Sequence, residues 1–100
     1  MSSLEDAFRK AQQDVQDLPV APGRINQLRL YALLMQSTVG DVSGRRPGFS
    51  DFEGRSRWDA WQALAGTGQE EAMREYVRVV DQLKSRAILM AAAQGGLYSL

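Results

Sequence analysis

The chain has 100 residues and a formal net charge of zero, because twelve basic residues balance twelve acidic ones. It contains no cysteine and no histidine, which excludes zinc fingers, thiol nucleophiles, histidine general bases and imidazole metal sites. The balanced charge provides no global attraction to nucleic acid or anionic lipid, so any anion site must be local. We therefore expect one domain, no metal, no cofactor and no nucleic-acid partner.

The amino terminus shows no targeting pattern. Met1 to Asp6 has neither the basic nor the apolar segment of a signal peptide. Since cysteine is also absent, the cytosol is the expected compartment. No apolar run approaches the roughly 18 residues of a membrane span, so we expect no stable membrane insertion.

Apolar residues recur with a helical period over four segments, and no useful strand-like alternation is present. Ser2 or Ser3 would cap the first helix, and Pro19 and Pro22 would end it. The four segments run from about Leu4 to Val15, Gly23 to Thr38, Phe52 to Ala65, and Gln69 to between Ala87 and Ala93. A glycine-rich loop separates the second segment from the third, and a weak capping box, Gly68 to Glu71, opens the last. The pattern predicts an all-α fold with a long final helix.

The second helix is apolar around most of its circumference at about 100° per residue. Either three neighbouring helices cover this apolar surface, or part of it lines a ligand cavity. The tyrosines of the second and fourth helices, Tyr31 and Tyr76, could line the rim of such a pocket or bond to backbone carbonyls. For Trp58 and Trp61 in the third helix we favour a place in the core.

Arginine outnumbers lysine ten to two, and four arginines cluster around the start of the third helix. A guanidinium can hold a phosphate through two parallel hydrogen bonds. Asp51, Glu53 and Asp59 are interleaved with the cluster, so charge alone favours a salt-bridged surface. The loop from Gly40 to Gly44 fits no phosphate-loop pattern, which argues against a nucleotide-hydrolysing site. The four arginines are Arg45, Arg46, Arg55 and Arg57.

Three blocks with ungapped spacing, Gln36 to Val42, Arg46 to Gly48 and Gly54 to Trp61, resemble the acyl-CoA-binding protein family. Further matches extend the resemblance from about Phe8 to about Lys84. It implies an all-α, four-helix acyl-CoA-binding-protein-like bundle. We place the acyl-CoA-binding domain at residues 1–86 and an uncharged extension, helical and then disordered, at 87–100.

The resemblance also implies a function: binding and carrying long-chain fatty acyl-CoA thioesters as a monomer that is not an enzyme, with acyl-consuming enzymes as recipients. The implied ligands of the CoA phosphate and adenine are Tyr31, Arg57 and Tyr76. The implied acyl-chain groove contains Pro22, Leu28, Leu34 and Met35.

The chain also departs from the family pattern. Leu34 and Met35 stand where an aromatic residue and a lysine are usual, and Gln16 stands where a lysine is frequent. Glu53 would oppose a phosphate, and Gln27 occupies a usually apolar position. These departures leave a second interpretation open: a degenerate relative that acts as a helical protein-interaction module with weak or no CoA binding, and whose apolar tail after Arg86 docks a partner.

Overall fold

The computed structural model describes residues 3–96, with side chains up to residue 94. Four α-helices make up most of it, and no strand occurs within this range, which confirms the predicted fold class. They are α1 (Leu4–Gln16), α2 (Arg24–Thr38), α3 (Phe52–Gln62) and α4 (Gln69–Ala91), and a π-helical turn, Ala92–Gly96, follows. None of the described helices is both long enough and apolar enough to cross a membrane.

The helix ends follow from local chemistry. The Ser3 side chain accepts a hydrogen bond from the Asp6 amide, and Asp51 accepts one from the Gly54 amide. A Cβ on Gly54 would lie 2.3 Å from Asp51 Oδ2, so a larger residue there would displace the Asp51 carboxylate from its present capping position. Gly68 does precede α4, but the expected capping box makes no side-chain cap bond. The chain after Gln62 turns through i to i+3 bonds and reaches Gly66 at φ +90°, so α3 ends earlier than predicted.

Helices α2 and α4 form the middle of the bundle, since α2 packs against α3 and α4, and α4 packs against α1 and α2. Contacts fix the directions. Arg29 pairs with Glu75, and Gln36 bonds to Thr67, so α2 and α4 are antiparallel. Helices α2 and α3 are parallel, because Arg24 pairs with Glu53 at their starts and Trp61 bonds to Gly40 near their ends. The first turns of α2 and α3 therefore lie at the same end of the bundle.

The core lies between α1, α2 and α4. The Phe8 and Tyr76 rings meet edge to face with centroids 5.1 Å apart. Among the described helices, α3 packs on α2 alone, and it has no fully buried residue. The prediction of core tryptophans was therefore wrong, and Trp58 and Trp61 are half-buried. The buried apolar residues of this core are Phe8, Ala11, Leu30, Leu33, Ala72, Tyr76, Val79, Val80 and Leu83.

A polar cluster joins the end of α2 to the turn after α3. Gln36 is fully buried, and its Nε2 donates to Asp41 Oδ1 and to the Thr67 carbonyl, both at 2.8 Å. Asp41 Oδ1 also accepts from the Gly66 amide at 2.9 Å. The Gly66 amide first, and then the Gln36 side chain, hold the pKa of Asp41 below its usual value. This junction fixes how α3 sits against α2.

Candidate ligand site

A cleft of about 210 Å³ lies between the first turns of α2 and α3. Its α2 wall consists of residues spaced three or four apart, which places them on one helix face. It contains two of the three residues expected to bind the CoA phosphate, Tyr31 and Arg57, together with Leu28 from the expected acyl-chain set. The full lining is Arg24, Gln27, Leu28, Tyr31, Glu53 and Arg57.

The charges of this cleft are arranged differently from the sequence expectation. Glu53 was expected to oppose a phosphate, but Arg24 Nη1 lies 2.9 Å from Glu53 Oε1 and neutralises it. The Arg24 guanidinium also lies 5.7 Å from the centre of the Phe52 ring. Arg57 forms no ion pair or side-chain hydrogen bond with any residue between 3 and 96. Arg57 thus supplies the uncompensated positive charge of the cleft.

Gln27 has a structural partner that explains its polarity. Its Nε2 donates to the Pro22 carbonyl at 2.6 Å, which ties the first turn of α2 to the preceding loop. The amide is thus engaged with the backbone at the edge of the cleft. Sequence reasoning missed both this bond and the Arg24–Glu53 pair, which joins residues 29 positions apart.

A larger, mostly apolar groove of about 750 Å³ lies beside the cleft, between α2, the end of α3 and the first half of α4. Leu28 lines both the cleft and this groove, so the two spaces are neighbours on either side of its side chain. The charged rim includes Arg29 and Arg78, both of which pair with Glu75. The apolar lining is Ile25, Leu28, Ala32, Leu33, Ala60 and Leu64. This volume falls within the range of small-molecule sites.

Tyr76, the third expected phosphate ligand, lies in the core, where its side chain is 4% exposed. Burial raises the pKa of its phenol, which therefore stays a neutral hydrogen-bond donor. Tyr76 lines neither the cleft nor the groove.

The other expected acyl-chain residues are dispersed. Pro22 lines a separate small groove of about 130 Å³ against the end of α4. Leu34 packs against the core, and Met35 is half-buried and lines neither the cleft nor the large groove. Of the four residues, only Leu28 therefore shares a cavity with Tyr31 and Arg57.

The arginine cluster divides into two kinds of residue. Arg46 makes a two-pronged contact with Asp59, from Nε at 2.8 Å and from Nη2 at 2.6 Å. The hydrogen bond from Arg46 holds the pKa of Asp59 below its usual value. For Arg46 the salt-bridged interpretation is correct, whereas Arg57 faces the cleft without a carboxylate partner in the described structure.

Together these features define an all-α bundle in which a small charged cleft meets a larger apolar groove, the form of a binding protein for an amphipathic small molecule. Residues 5–80 match the model of the acyl CoA binding protein family. The chain belongs to this family, as its relatives also indicate.

Two curated relatives illustrate the match. Acyl-CoA-binding domain-containing protein 3 of Oryza sativa is 39% identical over 89 residues, which cover 89% of this chain and 57% of the relative. The acyl-CoA-binding protein of Saccharomyces cerevisiae is 42% identical over 80 residues, covering 80% of this chain and 92% of the relative. The chain thus spans little more than half of the rice protein but nearly all of the yeast protein.

Solved structures agree with this assignment. The crystal structure of Oryza sativa acyl-CoA-binding protein 2 superposes with a TM-score of 0.82 at 37% identity, covering 87% of this chain and 97% of that one. The crystal structure of the protein from Moniliophthora perniciosa gives a TM-score of 0.79 at 40% identity, with coverages of 87% and 84%.

Proposed function

We propose that this chain binds long-chain fatty acyl-CoA thioesters reversibly, shields them from water and carries them to enzymes that consume acyl groups. The observation that carries the proposal is the convergence of Tyr31, Arg57 and Leu28 in one cleft, with an apolar groove on the other side of Leu28. Such a ligand has a phosphorylated nucleotide at one end and an alkyl chain at the other, which matches this pairing of charged and apolar spaces.

In this proposal Arg57 supplies the charge that holds the 3′-phosphate of the CoA moiety, since a guanidinium can donate two parallel hydrogen bonds to it. The Tyr31 hydroxyl donates a further bond from the facing wall of the cleft. Tyr76 stays a predicted phosphate ligand with a neutral phenol, and because it lies in the core and lines neither space, its hydroxyl could reach the ligand only if the core side chains around it moved. The pair between Arg24 and Glu53 removes a negative charge that would otherwise repel the phosphate.

The acyl chain accounts for most of the affinity in this proposal. Met35 and Gln16 provide no charge where the family pattern usually has lysine. Each lost charge-assisted bond costs on the order of 1.5 to 3 kcal/mol. Each methylene of the acyl chain that is buried contributes up to about 0.8 kcal/mol to binding, so several methylenes buried in the groove beside Leu28 offset the missing charge-assisted bonds. Coenzyme A without an acyl chain should therefore bind poorly.

Isothermal titration with palmitoyl-CoA and with coenzyme A tests this function. We expect saturable heat from palmitoyl-CoA and much weaker binding of coenzyme A. The proposal is wrong if palmitoyl-CoA gives only dilution heat at protein concentrations around tens of micromolar, about the range of a Kd that corresponds to 6–7 kcal/mol. A native mass spectrum of the freshly purified protein provides an independent check, because a tightly bound acyl-CoA survives purification.

The cytosolic compartment and the monomeric state remain part of this proposal. The alternative of a degenerate interaction module gains no support from the relatives, which are named for acyl-CoA binding. Part of the same proposal is that the chain carries its ligand without transforming it, since its family is named for binding.

A further inference from the structure

Arg24 is the second guanidinium of the ligand cleft, and two neighbours on α3 hold it in place. Its Nη1 lies 2.9 Å from Glu53 Oε1 and donates a hydrogen bond to Glu53 Oε2 at 3.0 Å. The guanidinium also lies over the Phe52 ring, 5.7 Å from its centre. Two side chains from the first turn of α3 therefore orient an arginine whose backbone belongs to α2.

The pair with Glu53 uses only one nitrogen of this guanidinium. Both oxygens of the Glu53 carboxylate lie close to Nη1, whereas the contact between Arg46 and Asp59 engages Nε and Nη2 together. Neither Nε nor Nη2 of Arg24 bonds to another residue in the range 3–96. Since a guanidinium presents its N–H donors as a rigid fork, the Nε and Nη2 edge of Arg24 is available to an acceptor in the cleft.

The charge of the cleft leaves room for a second cationic ligand. Two cations, Arg24 and Arg57, and one acid, Glu53, line it, which gives a net charge of +1. A phosphate monoester carries a charge of about −1.5 to −2 at pH 7. Because the phosphate carries more charge than Arg57 alone balances, a further donor to the same group would strengthen binding.

The spacing along α3 brings the two guanidiniums to the same part of the cleft. Arg57 follows Glu53 by four residues, which corresponds to one helical turn, about 6 Å along the axis. Arg24 pairs with Glu53, so its head group lies about one turn from the backbone of Arg57. A phosphate group has oxygens on several sides and is able to accept hydrogen bonds from both arginines.

We propose that Arg24 is a second ligand of the 3′-phosphate that Arg57 binds, and that it donates from Nε and Nη2 while Nη1 stays paired with Glu53. This inference rests on the proposed function and adds a binding residue that the family resemblance does not imply. Arg24 thereby restores part of the charge that is missing at Gln16 and Met35.

The competing interpretation is that Arg24 does no more than neutralise Glu53. The double variant Arg24→Gln, Glu53→Gln separates the two, because it removes the pair and leaves the net charge of the cleft at +1. Under simple neutralisation, the double variant would bind palmitoyl-CoA as tightly as the unmodified protein. Under direct contact, its dissociation constant should rise roughly fivefold in isothermal titration. We expect a smaller effect than for Arg57, because Arg24 shares its charge with Glu53 and its side chain is 50% exposed.

A ligand without the 3′-phosphate identifies the group that Arg24 contacts. Palmitoyl-CoA that lacks this phosphate should bind the double variant and the unmodified protein equally. Arg46→Gln, Asp59→Asn is the matched control, because it also removes an ion pair without changing the net charge, and neither residue lines the cleft or the groove. This control should bind palmitoyl-CoA like the unmodified protein. Circular dichroism should show the same helicity for all three proteins, since exposed ion pairs contribute little to stability.

Three results would overturn the inference. The first is equal affinity of the double variant and the unmodified protein for palmitoyl-CoA. The second is an equally large loss with the ligand that lacks the 3′-phosphate, and the third is the same loss in the control variant. In all three cases the unmodified protein still binds palmitoyl-CoA, so the proposed function stands. If the unmodified protein gives only dilution heat, the proposed function fails and this inference fails with it.

Discussion

Arg57→Ala should weaken binding of palmitoyl-CoA by about tenfold or more. Arg57 lines the cleft with Tyr31 and forms no ion pair among residues 3–96. A charge-assisted hydrogen bond contributes about 1.5 to 3 kcal/mol, which corresponds to a factor of roughly 10 to 150 in affinity. Because the Arg57 side chain is exposed to solvent, the lower part of that range applies. Isothermal titration of the variant and the unmodified protein measures the ratio directly.

The dephosphorylated ligand identifies the group that Arg57 contacts. Palmitoyl-CoA that lacks the 3′-phosphate should bind the variant and the unmodified protein almost equally. Arg45→Ala is the control, since it removes the same charge from the neighbouring loop and not from the cleft lining. The free energy of unfolding of both variants should change by less than about 0.5 kcal/mol. Equal losses for both ligands would show that Arg57 does not hold the phosphate.

Three further predictions concern other parts of the chain. Met35→Lys should tighten palmitoyl-CoA binding severalfold by restoring a charge, and a fall in affinity by titration would contradict this. Gln36→Leu should lower the free energy of unfolding by about 1 to 3 kcal/mol in urea titration, because two buried hydrogen bonds are lost. A loss no larger than that of Gln12→Ala, which breaks one long bond, would refute it. Hydrogen bonds lower the folded-state pKa values of Asp14, Asp41 and Asp59, and the hydrogen bonds to Asp14 are donated by two lysines. The contribution of these three carboxylates to the stability of the fold is therefore complete above their unfolded-state pKa and is lost as the pH falls through their folded-state pKa values. Tm should fall once the pH is lowered below about 4, and a Tm that does not change with pH there would contradict this reasoning.

The helices could be predicted from the sequence because helical period and chain breakers are local properties. The end of α3 could not, since the apolar pattern continues to Ala65 while the backbone already turns after Gln62. The tryptophans were misassigned for a different reason. Burial depends on how many helices surround a side chain, and no local pattern indicates that α3 would pack against α2 alone.

The candidate site could be predicted only in part. The spacing of Leu28 and Tyr31 places both on one face of α2, and the structure brings Arg57 to the same face. The Arg24–Glu53 pair depends on the parallel course of α2 and α3, which only the tertiary structure reveals. The burial of Tyr76 likewise depends on Phe8, which is 68 positions away in the chain.

The sequence block that carries the family resemblance has mainly a structural role in this protein. Gln36 and Asp41 bond to the turn after α3, and Trp61 Nε1 donates to the carbonyl of Gly40, whose φ of +101° suits glycine. These bonds set the position of α3 against α2, and that position brings Arg57 opposite Tyr31. The block alone therefore indicates the fold, and the ligand chemistry rests on side chains that the block positions. A chain with the same junction but without a cation at position 57 should keep the bundle and lose much of its affinity for the phosphate.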